Sequence, residues 1–128
     1  MVRMSLKANV RRSGDVAIVD LAGRITLGEG SGLLRTTIKD LASSGQKNIL
    51  VNLKDVTYLD SAGLGELVGA YASVTNAGGS IKLLNPQAKV HDLLQITKLY
   101  TVFVAYDDEP EALQSFAAAA GSGGKLFL

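Results

Sequence analysis

Within residues 48–53, Asn-Ile-Leu-Val-Asn-Leu, the apolar run from Ile49 to Leu53 is broken only by Asn52. Such a run is the pattern of a strand buried on both faces, as in the middle of a parallel sheet. That strand needs helices to cover it, and helical patterns flank it. Before it, Leu33, Leu34, Thr37, Ile38 and Leu41 recur at helical spacing, with Ser31 as the expected N-cap and Gly45 as the stop. After it, Leu64, Leu67, Val68, Tyr71 and Val74 mark a second helix, ended by Gly78-Gly79.

The rest of the chain extends this alternation. Leu6, Ala8 and Val10 alternate with polar residues and predict a half-buried strand. Ser13-Gly14-Asp15 is a turn signal, and Val16 to Ala22 predicts a second strand, so the two make an antiparallel hairpin. Ile81 to Leu84 predicts a short strand. Asn85-Pro86 predicts a helix start, with Val90, Leu93 and Leu94 turned inward. Thr101 to Ala105 predicts the last strand, and Asp107-Asp108-Glu109-Pro110 opens a final helix through Leu113 and Phe116. The order β-β-α-β-α-β-α-β-α implies right-handed crossovers. The expected fold class is α/β: one domain with a mostly parallel sheet of about five strands, an antiparallel N-terminal edge strand and about four helices. The domain is expected over residues 4–120, with 121–128 as a flexible tail.

Composition narrows the chemistry. Thirteen basic residues face twelve acidic ones, for a net charge of +1, which argues against direct binding of nucleic acid. The absence of cysteine and the single histidine, His91, exclude thiolate chemistry and multi-histidine metal sites, so no metal or other cofactor is expected. Gly28-Glu29-Gly30-Ser31-Gly32 lacks the Gly-Lys-Ser/Thr ending of a phosphate-binding loop and does not match G-x-G-x-x-G. No nucleophile is spaced to pair with His91, so catalysis is not expected. The charged runs Arg3 to Arg12 and Asp107 to Glu111 read as solvated faces of opposite sign. No run is long and apolar enough for a membrane span, and no leader pattern follows Met1, so a cytoplasmic location is expected.

The informative segment runs from Val51 through Asp60-Ser61-Ala62-Gly63-Leu64-Gly65. A buried strand ends, a short loop follows, and Asp60-Ser61 opens a helix. In an open parallel sheet, ligands and partners are met at the strand C-termini. A hydroxyl there is reachable by another protein, and a helix start tolerates an anion. Phosphate on Ser61 would add about −1.5 to −2 charges beside Asp60. Ser61, Gly65, Gly69 and Ser73 are spaced by four, a stripe of small residues. Each interior glycine costs a helix about 1 kcal/mol relative to alanine, so close approach of another surface is one reason for them. The same features also serve ordinary ends: Asp60 and Ser61 as caps, the glycines as room for a neighbouring element of the same domain.

The runs VAIVDLAGRI, VNLKDVTYLDSAGLGELVGAY and GGSIKLLNPQAKVHDLLQITKL, with the order of elements, resemble a STAS domain of the anti-sigma factor antagonist (anti-anti-sigma factor) type. The resemblance covers about Leu6 to Phe116. It implies strands in sequential order and a protein-binding module without catalysis. It implies a partner that is both an anti-sigma factor and a serine kinase, captured by the unphosphorylated form to free a sigma factor. It implies release on phosphorylation of Ser61 and a serine phosphatase that resets the switch. Ala62 stands where many relatives carry a second hydroxyl, and Thr26 where many carry Asp. The expected partner surface comprises Asp60, Ser61, Ala62, Gly63, Gly65, Gly69, Thr26 and Leu27. A STAS subunit of a larger assembly, such as a lipid ABC transporter or a stress-signalling scaffold, is the alternative, and retention of Ser61 favours the switch.

Overall fold

Two bonding patterns organise the computed structural model, which describes residues 6–122. The first is a hairpin. β1 (Leu6–Ser13) pairs antiparallel with β2 (Val16–Ile25), from Leu6 opposite Gly23 to Ser13 opposite Val16. Gly14, with φ at 59°, makes the tight turn that this register requires. The second is a parallel ladder of β2, β3 (Asn48–Leu59), β4 (Ser80–Leu84) and β5 (Ala105–Tyr106), giving the sequential order β1-β2-β3-β4-β5. The expected fold class is the one observed.

Side-chain alternation along the strands builds two cores. Ala17, Val19 and Leu21 of β2, Ile49, Val51 and Leu53 of β3, and Ile81 and Leu83 of β4 face one side. There they meet Leu34, Ile38 and Leu41 of α1 (Glu29–Ser43), Leu67, Ala70 and Val74 of α2 (Ser61–Asn76), and Val90 and Leu94 of α3 (Ala88–Ile96). On the other side Val16, Ile18, Leu50 and Leu84 meet Ala112 and Phe116 of α4 (Glu109–Ser122). Lys82 lies under α4, its Nζ 4.6 Å from the centre of the Phe116 ring and donating to Ser115 Oγ at 2.8 Å. Burial holds its ammonium below the usual lysine range.

Several boundaries differ from those expected. β3 continues through residues 54–59, expected as a loop. β4 stops opposite Asn52, so beyond it β3 pairs with β2 alone, up to Ile25 opposite Leu59. Lys54, Asp55, Thr57 and Tyr58 are therefore exposed and read as loop, while Val56 and Leu59 stay buried. α1 starts at Glu29, so Ser31 is not its cap: it is buried, with its N–H donating to Thr26 O at 2.9 Å. α3 starts at Ala88 instead of Pro86, because Asn85 turns left-handed (φ 52°) and its N–H donates to Tyr106 O at 2.7 Å. The last strand keeps only Ala105–Tyr106; Leu99–Thr101 is a 3₁₀ turn, and Phe103 fills the core edge-on to Tyr71. α4 extends to Ser122, while residues 1–5 and 123–128, with Arg3 and most of the expected tail, lie outside the described residues.

The two charged runs, expected as separate solvated faces, meet. Arg11 of β1 donates to Asp20 of β2 at 2.5 Å and to Glu109 of α4 at 2.6 Å, and Asn52 donates to Asp20 at 2.8 Å. The Arg11 hydrogen bonds hold both carboxyls below the usual range. Depressed carboxyls contribute stability above their unfolded values, about 3.9 for Asp and 4.3 for Glu, and lose it as pH falls through the lower folded values. Arg11→Met should therefore melt below the wild type at pH 7, and the gap should narrow below about pH 4. Thermal melts across that range check it, and a gap independent of pH contradicts it.

Candidate functional site

The C-terminal end of β2 and the end of β3 lie side by side, and the loops that leave them meet. Asp60 is the N-cap of α2, with extended backbone (φ −97°, ψ −176°). Its Oδ1 accepts from the Gly63 N–H at 2.8 Å, and its Oδ2 accepts from the Leu27 N–H at 3.0 Å. Its own N–H donates to Ile25 O at 3.2 Å. One residue thus caps α2 and ties it to the loop between β2 and α1. The Gly63 amide first, and the Leu27 amide next, hold the Asp60 carboxyl below the usual range. A carboxylate so engaged is a weak general base.

Ser61 is exposed as the first residue of α2. Ala62 is half-buried beside it. Across the junction Thr26 is half-buried, with its carbonyl taken by Ser31, and Leu27 is 80% exposed. The structure therefore brings together Thr26, Leu27, Asp60, Ser61 and Ala62.

The glycines separate. Gly65 and Gly69 are exposed, and a Cβ at either would meet nothing within 4 Å. Room for a neighbouring element of the same domain does not account for them. Gly63, expected on the partner surface, is buried instead: a Cβ there would stand 2.2 Å from Ile25 O. It serves the close approach of α2 to β2. The buried stripe of α2 is Gly63, Leu67, Ala70 and Val74, while Val68, expected inside, is 37% exposed. Spacing carries the signal for this, because 63, 67, 70 and 74 share one helical face.

A stripe spaced by four drifts around the helix by about 40° per step. Gly65 therefore stays near Ser61, while Gly69 and Ser73 turn toward α1. There they line a groove of ~540 Å³ with Ile38, Lys39 and Ala42 of α1. Arg35 of α1 and Glu66 of α2 form a forked ion pair at the same groove. The sequence reading missed this pair, because nothing local links residues 31 positions apart. Arg24 lies over the Tyr58 ring at 4.7 Å, just before the site on each strand. His91 is exposed on α3. Among the described residues no cluster of His, Cys, Asp or Glu could hold a metal ion, and no helix is long and apolar enough to cross a membrane.

Known proteins share this fold. The STAS domain family matches residues 7–112. The anti-sigma-B factor antagonist of Bacillus subtilis is 35% identical over 96 residues, covering 75% of this chain and 86% of that protein. The anti-sigma F factor antagonist of Paenibacillus polymyxa is 29% identical over 111 residues, covering 86% and 94%. The crystal structure of the Thermotoga maritima protein TM1081 superposes with a TM-score of 0.80 at 27% identity, covering 86% of this chain and 94% of that one. With its fold and a family match over most of its length, this chain belongs to the STAS domain family, alongside proteins named as anti-sigma factor antagonists.

Proposed function

We propose that this chain is an anti-sigma factor antagonist switched by phosphorylation of Ser61. In its unphosphorylated form it captures an anti-sigma factor that is also a serine kinase, and so frees a sigma factor. The kinase phosphorylates Ser61 and the complex parts; a serine phosphatase restores the binding form. The protein binds and does not catalyse, and it works in the cytoplasm as one STAS domain. The relatives' names supply the partner class.

One observation carries the reading: Ser61 is exposed at the start of α2, one residue from a carboxylate that ties together the two loops of the surface. A phosphate there takes the local charge from one negative to about three. It does so at a helix end where the dipole favours anions, so the fold has no reason to yield. Asp60, Ser61, Ala62, Gly65, Gly69, Thr26 and Leu27 then form the partner surface, with Gly63 packing beneath it.

Incubation with ATP and the purified anti-sigma kinase should add one phosphate, found by mass spectrometry on Ser61 and absent from Ser61→Ala. Phosphate elsewhere with Ser61 unmodified contradicts the reading.

A further inference from the structure

Leu27 is an unusual loop residue. It is 80% exposed, more than any other large apolar side chain among the described residues. A lone exposed leucine needs no explanation by itself. The backbone that carries it does, because it is fastened at its own amide and at the carbonyls before and after it. The Leu27 N–H donates to Asp60 Oδ2 at 3.0 Å. The preceding carbonyl, Thr26 O, accepts from Ser31 N, and the following one, Gly28 O, accepts from Gly32 N, each at 2.9 Å. Gly30 brings the start of α1 against the end of β2 so closely that a Cβ would stand 2.8 Å from Arg24 O. The fastened backbone thus holds out an apolar side chain that nothing in the fold covers.

Resting on the proposed function, we infer that Leu27 is the apolar anchor by which the chain grips the anti-sigma factor, and that Asp60 is the positioning residue that holds it. The partner side of this contact is an apolar pocket the size of a leucine, close to the place where Ser61 is modified. A rigidly presented anchor loses little conformational entropy on binding. The division of one carboxylate between two segments explains why Asp is needed here. Asn at this position keeps one carbonyl oxygen for the Gly63 cap, and its second atom becomes an NH₂ that cannot accept from Leu27. Asp60→Asn therefore keeps the helix cap and cuts the tie to the anchor.

The test uses purified anti-sigma factors of the source genome, screened against the wild-type chain, and a double-mutant cycle on the one that binds. Leu27→Ala should weaken its Kd about 10- to 100-fold, as for loss of a buried leucine. Leu27→Met should restore all but about threefold, since this swap conserves volume. Asp60→Asn should weaken Kd about tenfold while its melting temperature stays near wild type and the Leu27 amide exchanges faster with solvent. The double variant should bind as Leu27→Ala alone does, within about twofold, because the two residues act through one contact. Additive losses overturn the positioning role of Asp60, and unchanged affinity in Leu27→Ala overturns the anchor. A change in self-association with unchanged capture assigns Leu27 to a second copy of the chain and overturns it as well. If wild type binds and Ser61→Asp does not, the proposed function stands whatever Leu27 does; if no anti-sigma factor binds wild type, both fall.

Discussion

Gly65→Gln and Gly69→Gln should stay folded, melt at or above the wild type, and fail to hold the anti-sigma factor, whereas Gly63→Ala should lose stability. The three glycines lie on one helix within seven residues, and the space around each separates them. Above Gly65 and Gly69 there is nothing within 4 Å of a built Cβ, so a longer side chain starts without a clash in the free protein, and at Gly69 the groove between α1 and α2 has room for it. Glutamine is the better helix former by about 0.5–1 kcal/mol, so the free variants gain slightly. The same side chain stands where a partner backbone must come close, and it holds that backbone away. At Gly63 the added methyl would stand 2.2 Å from Ile25 O and 2.8 Å from side-chain atoms of Ile25 and Leu59. A backbone oxygen cannot turn aside, so α2 must shift, at a cost of about 1–3 kcal/mol. Thermal melts and a binding assay on the three variants check both halves. Unchanged capture in both glutamine variants removes the stripe from the interface, and an unaltered melt of Gly63→Ala removes the packing argument.

Ser61→Asp should reduce capture by about 100-fold or more, since a second carboxylate beside Asp60, desolvated in the interface without a partner, costs several kcal/mol. Its melting should nonetheless follow the wild type, because an exposed change at a helix start typically alters stability by less than about 0.5 kcal/mol. A negative charge at that position also suits the helix dipole. The mimic carries one charge where a phosphate carries nearly two, so the phosphorylated protein should bind more weakly still. A large loss of stability in Ser61→Asp would mean that the effect on binding comes through unfolding.

The sequence reading reached most of the fold because the strongest patterns here are local. The apolar run from Ile49 to Leu53 made β3 a central strand, Ser13-Gly14-Asp15 placed the hairpin, and the helical spacing from Leu33 and from Leu64 placed α1 and α2. It fell short where a pattern was short or its cause lay elsewhere in the chain. β5 has two residues, too few to show a period, and Phe103 is apolar because it fills the core. The end of β3 is polar because it has one neighbouring strand there. The start of α3 is set by the bond from Asn85 to Tyr106.

The candidate site divides in the same way. Asp60 and Ser61 were legible as a helix start, since an N-cap signature is contiguous. The tie from Asp60 to Leu27 was not, because it joins residues 33 apart and depends on β2 and β3 ending side by side. The Arg11 bridge from β1 to α4 and the Arg35–Glu66 pair escaped for the same reason. The burial of Gly63 is legible in the sequence, because its spacing to Leu67, Ala70 and Val74 places it on the buried face of α2.

The most direct test of the switch is a titration of the purified anti-sigma factor with two preparations of the wild-type chain, one unphosphorylated and one fully phosphorylated on Ser61, under nucleotide conditions that prevent further transfer. The unphosphorylated chain should bind at least about 100-fold more tightly, and treatment of the phosphorylated chain with a serine phosphatase should restore that affinity. Equal affinities, or tighter binding by the phosphorylated chain, would contradict it.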